Sequence, residues 1–218
     1  MMARIRIDLR FVDIPYELWA LEKCLGTIDQ QITSLREQHS AETVDRIRTL
    51  RAKGHDDEAR FLEEQIDELN DHVLPRLVRN PFLVATWATY EGGVTEIAHL
   101  LAHSIGARLR LGNIRGGGFV SEAQLYFEGV LNLALEPDPR RVEQLNTLLL
   151  LRNAIAHGGA RKGASKKGTW DTIERMAAAG ADVCISRDLL IVGRDLVAES
   201  YKAVRASLDG LIARSRHS

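Results

Sequence analysis

The sequence predicts an all-α fold: a helical bundle with a helical hairpin ahead of it and a short β-hairpin near the C-terminus. Three observations carry this. Prolines number only 5 in 218 residues, fall in clusters, and leave long uninterrupted stretches between them. Because proline starts or stops helices, those stretches are the helix candidates. Along most of them apolar residues recur at alternating steps of three and four, the stripe of an amphipathic helix. Finally, 45% hydrophobic and 27% charged residues is the balance of a chain that folds rather than one that stays disordered.

Asp13 caps a first helix, with Pro15 in its first turn. Leu18, Leu21, Leu25, Ile28, Ile32 and Leu35 form a narrow seam along it. Ser40 caps a second helix through Val44, Ile47 and Leu50, which Gly54-His55 either breaks or only weakens. The seam resumes at Leu62, Ile66, Leu69 and Val73, and the acidic residues of 56–71 read as a solvated helix face. These segments read as an antiparallel helical hairpin, an extension over residues 1–78 ahead of a main helical domain over 79–218.

A third helix follows Pro81, with Leu83, Trp87, Tyr90, Val94, Ile97 and Leu101 on its seam. Residues 104–118 then form a loop holding Arg108, Arg110, Arg115 and the run Gly116-Gly117-Gly118, with no acidic residue. A fourth helix is expected over 120–135, and Pro137-Asp138-Pro139 is a stiff turn. A fifth helix over 140–157 stops at Gly158-Gly159. A basic loop over 161–167 leads to a helix over 169–179, ended by Gly180. Val183–Ser186 and Leu189–Val192 flank Arg187-Asp188 and predict a small β-hairpin. A last amphipathic helix covers 195–213.

Charge and cysteine usage narrow the function classes. Lys plus Arg number 29 against 30 Asp plus Glu, a formal net charge of -1. No global basic field exists, so a nucleic-acid partner must be held by a local patch. Cys24 and Cys184 lie far apart and outside any CxxC pair, which reads as reduced thiols in a cytoplasmic protein. Residues 1–10 alternate Arg with Ile and Leu and lack the apolar stretch of a signal peptide. No apolar run approaches a membrane span, so no membrane partner is expected.

Chemistry concentrates at the end of the fifth helix, in Leu151-Arg152-Asn153-Ala154-Ile155-Ala156-His157-Gly158. Polar groups on an otherwise apolar helix need partners or a purpose. Asn153 and His157 are four apart and share a face. Arg152 and His157 stand about 140° apart around an ideal helix, a gap that arginine's length can close. A histidine in the last turn faces the negative end of the helix dipole and suits acid–base work.

This segment resembles the HEPN superfamily, whose signature is Arg-x4-6-His, often Arg-Asn-x-x-x-His, at the end of an interior helix. Arg152, Asn153 and His157 match its shortest spacing. Trp87-Ala88-Thr89-Tyr90-Glu91-Gly92 resembles the earlier core helix of stand-alone bacterial members, and the resemblance covers about residues 81–213. It implies a compact helical bundle that dimerises so that both chains line one cleft. It also implies a metal-independent endoribonuclease in which the RNA 2′-hydroxyl attacks the adjacent phosphate. The products are a 2′,3′-cyclic phosphate and a 5′-hydroxyl. In that chemistry His157 is the acid or base, Arg152 holds the phosphate, Asn153 orients the histidine or the backbone, and Glu91 is a supporting candidate. RNA, a second copy of the chain, and an antitoxin or defence-system protein are the implied partners, and no cofactor or metal is implied. The tyrosine two positions beyond the histidine in some HEPN toxins is replaced here by Gly159.

Beside this motif, Arg161, Lys162, Lys166 and Lys167 read equally as a solvated loop or as a track for an RNA backbone. His99 and His103 lack a third metal ligand and read as surface residues. Gly116-Gly117-Gly118 lacks the GxxxxGK[ST] pattern and reads as a connection. The alternatives to a ribonuclease are a catalytically inactive helical interaction module and a nucleotide-sensing module that binds phosphate without cleaving it.

Overall fold

The computed structural model describes residues 11–164 and 167–216. Its elements are α1 (Asp13–Ala52), α2 (Asp56–Glu68), a π-helical turn (Leu69–Val73), α3 (Leu74–Ser104), a 3-10 turn (Leu111–Asn113), α4 (Phe119–Gly129), α5 (Pro139–Gly158), α6 (Lys167–Ala178), β1 (Val183–Ser186), β2 (Leu189–Val192) and α7 (Arg194–Ser215). The fold is all-α with a short β-hairpin, as the sequence predicts. Strands β1 and β2 pair antiparallel, with Ser186 opposite Leu189. Arg187 and Asp188 take φ of 48° and 63°, the two positive values a type I′ turn requires.

Three expected boundaries are corrected. Ser40 opens no second helix: α1 runs through it to Ala52. The chain turns instead at Gly54, whose φ is +77°. There the His55 N–H donates to the Leu50 carbonyl at 3.0 Å and the Gly54 N–H to that of Arg51 at 3.0 Å, a Schellman closure that needs a left-handed residue. The third helix does not wait for Pro81, which lies inside α3. Pro81 sacrifices one hydrogen bond without ending the helix.

The π turn just before Pro75 has a physical cause and a consequence. Proline cannot donate to the carbonyl four residues back, and a widened turn accommodates that loss. The Leu74 N–H reaches Leu69, five back, which leaves the Asn70 carbonyl without its helical donor. Arg36 fills the gap, donating to that carbonyl from Nε at 2.9 Å and also from Nη2. The fourth helix ends at Gly129 rather than running to 135, and Asn132 turns left-handed with a φ of 51°. The stretch beyond is pinned by Arg214, which donates to the Ala134 carbonyl at 3.1 Å and to that of Leu135 at 2.6 Å.

The chain divides into two compact units. Unit 1 comprises residues 1–22, 85–150 and 199–218. Its core holds Ile14, Leu18, Val94, Ile97, Leu145, Leu148, Val204 and Leu208. Trp87, Tyr90 and Phe119 form an aromatic cluster in it, with Trp87 edge-on to Phe119 at 5.8 Å.

Unit 2 comprises residues 23–84 and 151–198. Ile28, Ile32, Ile47, Leu83, Leu151, Ile173, Leu190 and Val192 are buried there. The α1 seam is only partly used, since Leu35 is 40% and Val44 47% exposed. Asp29 is clamped by Arg79 and Arg194, each at 2.8 Å. Gly193 brings no capping side chain to the start of α7, and Asp182 supplies the acceptor instead. Its Oδ2 takes the N–H groups of Asp195 at 2.7 Å and Leu196 at 3.4 Å.

Candidate functional site

Helix α5 starts as a helix should. Asp138 Oδ1 accepts the Arg140 N–H at 3.0 Å, with Pro139 in the first helical position. The Arg141 guanidinium and the Arg140 N–H hold the Asp138 carboxyl below the usual aspartate range. Leu145, Leu148, Leu151 and Ala154 step by three and are fully buried. That places Arg152 and Asn153 at the half-buried margin and His157 in solvent.

The structure brings all three residues of the motif together. Arg152 Nη1 donates to Asn153 Oδ1 at 2.9 Å and lies 3.0 Å from His157 Nε2. A guanidinium has no acceptor, so in this contact Nε2 is the acceptor. Arg152 Nε is buried and has no hydrogen-bond partner among the described residues. Arginine's length therefore closes the angular gap that the five-residue spacing leaves.

The end of the helix is anchored. Gly159 and Ala160 both take positive φ, and the Ala160 N–H closes on the Ala154 carbonyl at 3.1 Å. The chain then runs beside β2: the Leu190 N–H donates to Ala160 at 2.8 Å and the Lys162 N–H to Asp188 at 2.7 Å. Asn80 Nδ2 donates to the Leu190 carbonyl at 3.1 Å from the other direction.

The other predicted residues have different surroundings. Arg161 is exposed and forms a bridge with Leu189. Lys162 pairs with the Glu174 carboxylate, whose hydrogen bond and charge raise its ammonium above the ordinary lysine value. Lys166 lies outside the described residues, and Lys167 opens α6. Glu91, in unit 1, accepts the Trp87 indole N–H at 2.7 Å. His99 and His103 are exposed on α3.

Two features escaped the sequence. One is the carbonyl of Asn70 held by Arg36, which no spacing rule announces. The other is a hollow of about 570 Å³ lined by His39, Phe61, Ile66, Glu68 and Arg187 among others. Of its lining residues Glu68 meets Arg187 at 3.6 Å, and Glu68 also meets His72 Nδ1 at 3.2 Å. Among the described residues no three His, Cys, Asp or Glu side chains cluster in a way that could hold a metal ion. Nor is any described helix long and apolar enough to cross a membrane. Comparison with protein-family models, curated proteins and solved structures found no match to this chain.

Proposed function

We propose that the chain is a metal-independent endoribonuclease of HEPN type, acting as a homodimer and serving as a toxin or defence effector restrained by a partner protein. The observation that carries this reading is the contact of Arg152 Nη1 with His157 Nε2 at 3.0 Å, at a helix end open to solvent. The 2′-hydroxyl of one nucleotide forms a new bond to the adjacent phosphorus, and the bond from phosphorus to the 5′-oxygen breaks. Once Arg152 turns from His157 to the phosphate, the Nε2 lone pair is freed to take the 2′-hydroxyl proton as a base, and the protonated ring can then act as the acid for the leaving 5′-oxygen. Arg152 meets the charge growing on the phosphoryl oxygens with a planar fork. Asn153 Oδ1, bonded to the same Nη1, steers the guanidinium.

The pairing of Lys162 with Glu174 favours a second reading, in which Arg152 binds phosphate without a flanking basic track and no cleavage follows. Incubation of total RNA with the purified chain in EDTA, beside His157→Ala, separates the two. The ribonuclease reading expects fragments only with the unaltered protein, and intact RNA in both samples refutes it. Light scattering at high micromolar concentration tests the dimer, which a monomeric mass would contradict.

A further inference from the structure

A second long stretch free of carboxylates lies away from the Arg152 motif in sequence. No Asp or Glu occurs between Glu96 and Glu122, while Arg108, Arg110 and Arg115 all fall there and are all exposed. Among the described residues none of the three forms an ion pair with a carboxylate. Arginines elsewhere are commonly spent: Arg36, Arg51, Arg79, Arg141 and Arg205 each pair with an acid.

The loop is also built rather than loose. The Ala107 N–H closes on the Ala102 carbonyl at 2.9 Å, and Tyr126 Oη donates to the Leu109 carbonyl at 3.0 Å. Arg110 and Asn113 bond reciprocally, at 3.0 Å through Asn113 Oδ1 and 2.9 Å through the Arg110 carbonyl. Glu122, the next acid along the chain, has its Oε1 taken by the Gly116 N–H at 3.0 Å. Cations held on an anchored backbone lose less entropy when they engage a ligand.

We propose that residues 104–118 form a binding loop for the phosphate backbone of single-stranded RNA, with Arg108, Arg110 and Arg115 as its contacts. The proposal rests on the ribonuclease reading for its choice of ligand. Guanidinium groups suit it on two counts: they take phosphate oxygens in a fork, and their planes stack on unpaired bases. Ile105 and Leu109, 59% and 42% exposed beside them, add apolar surface for bases. Three guanidinium groups without counter-charges also supply the local positive patch that a chain of net charge -1 needs to hold RNA.

The test is fluorescence anisotropy of a labelled single-stranded RNA with the full chain, from about 50 to about 200 mM salt. It is repeated with the triple variant Arg108→Gln, Arg110→Gln, Arg115→Gln and with the matching triple change to Lys. Each lost phosphate contact should lower the log–log salt slope by about 0.7, so the Gln variant should lose about 2 units of slope and on the order of a hundredfold in affinity at about 100 mM salt. The Lys variant should keep the slope, because charge alone sets it, which also shows that lost binding is not lost folding. An unchanged slope in the Gln variant, no RNA binding by the unaltered chain, or binding to phosphatidylserine vesicles in place of RNA overturns the proposal. Cleavage is read in the same samples. His157-dependent cleavage with an unchanged slope refutes the loop alone, and loop-dependent binding without cleavage refutes the ribonuclease reading alone.

Discussion

Gly193→Ala is a substitution that ordinarily stabilises, by about 0.4–1 kcal/mol, because alanine restricts the unfolded chain. Here it should do the opposite. A Cβ at residue 193 would stand 1.8 Å from Asp182 Oδ1 and 2.0 Å from its Cγ. The two residues cannot part, since the Gly193 N–H donates to the Asp182 carbonyl at 2.7 Å. The carboxylate must therefore swing away and release the N–H groups of Asp195 and Leu196. Loss of such a cap costs about 0.5–2 kcal/mol, and residual crowding adds to it. The net expectation is a loss of about 1 kcal/mol, a fall in Tm of about 2–4 °C for a chain of this size. Urea denaturation followed by circular dichroism measures it, together with Asp182→Ala and the double variant. With Asp182 truncated the three atoms nearest the added Cβ are gone, so Gly193→Ala should become neutral or stabilising. The coupling should be about 1–2 kcal/mol, within the range of residues in contact. Equal effects of Gly193→Ala in both backgrounds would refute the reasoning.

Three further outcomes are expected. Arg36→Ala should cost about 1 kcal/mol by urea denaturation, because the carbonyl freed by the π turn loses its donor; no change would mean water replaces the guanidinium fully. Burial raises the Glu96 carboxyl above its ordinary value, and the charges of Asp13 and Glu17 add to this. A raised carboxylate opposes folding at pH values above its folded pKa and has no effect below its unfolded pKa of about 4.3. Glu96→Gln should therefore stabilise at neutral pH and lose that advantage as pH falls below about 4; a pH-independent effect contradicts it. Arg152→Lys should restore little of the cleavage lost in Arg152→Ala, since lysine has no fork, and cleavage assays showing full recovery would count against the phosphate role.

Local chemistry was legible where one rule governs a position. Arg187-Asp188 between β-branched runs marked the hairpin, and Gly158-Gly159 marked the end of α5, because each sets the backbone by itself. Ser40 misled, since a residue that suits a cap is also tolerated mid-helix, and α1 runs on through the gap that the apolar seam leaves between Leu35 and Val44. Pro81 misled because a helix can forgo one hydrogen bond when its neighbours hold it. In unit 1, the four-residue spacing of Trp87 and Glu91 allows their hydrogen bond, whereas Glu91 read as a supporting catalytic candidate. The Lys162–Glu174 pair joins residues twelve apart across a turn, and no periodicity reveals it. The meeting of Arg152 with His157 depended on side-chain length, which spacing permits and does not require.

Mass spectrometry of RNA ends goes straight to the question of whether Arg152 and His157 form a cleaving pair. A defined single-stranded RNA is incubated with the full chain in EDTA, beside His157→Ala and beside a substrate carrying 2′-deoxy at the scissile nucleotide. The 5′ fragment should end in a 2′,3′-cyclic phosphate or its hydrolysed monophosphate, and the 3′ fragment should begin with a 5′-hydroxyl. His157→Ala should slow this by about 10²–10⁴-fold, the usual worth of general acid–base assistance, and the 2′-deoxy substrate should stay intact. Robust cleavage of the 2′-deoxy substrate, a strict need for magnesium, or an activity that survives His157→Ala would contradict the assignment.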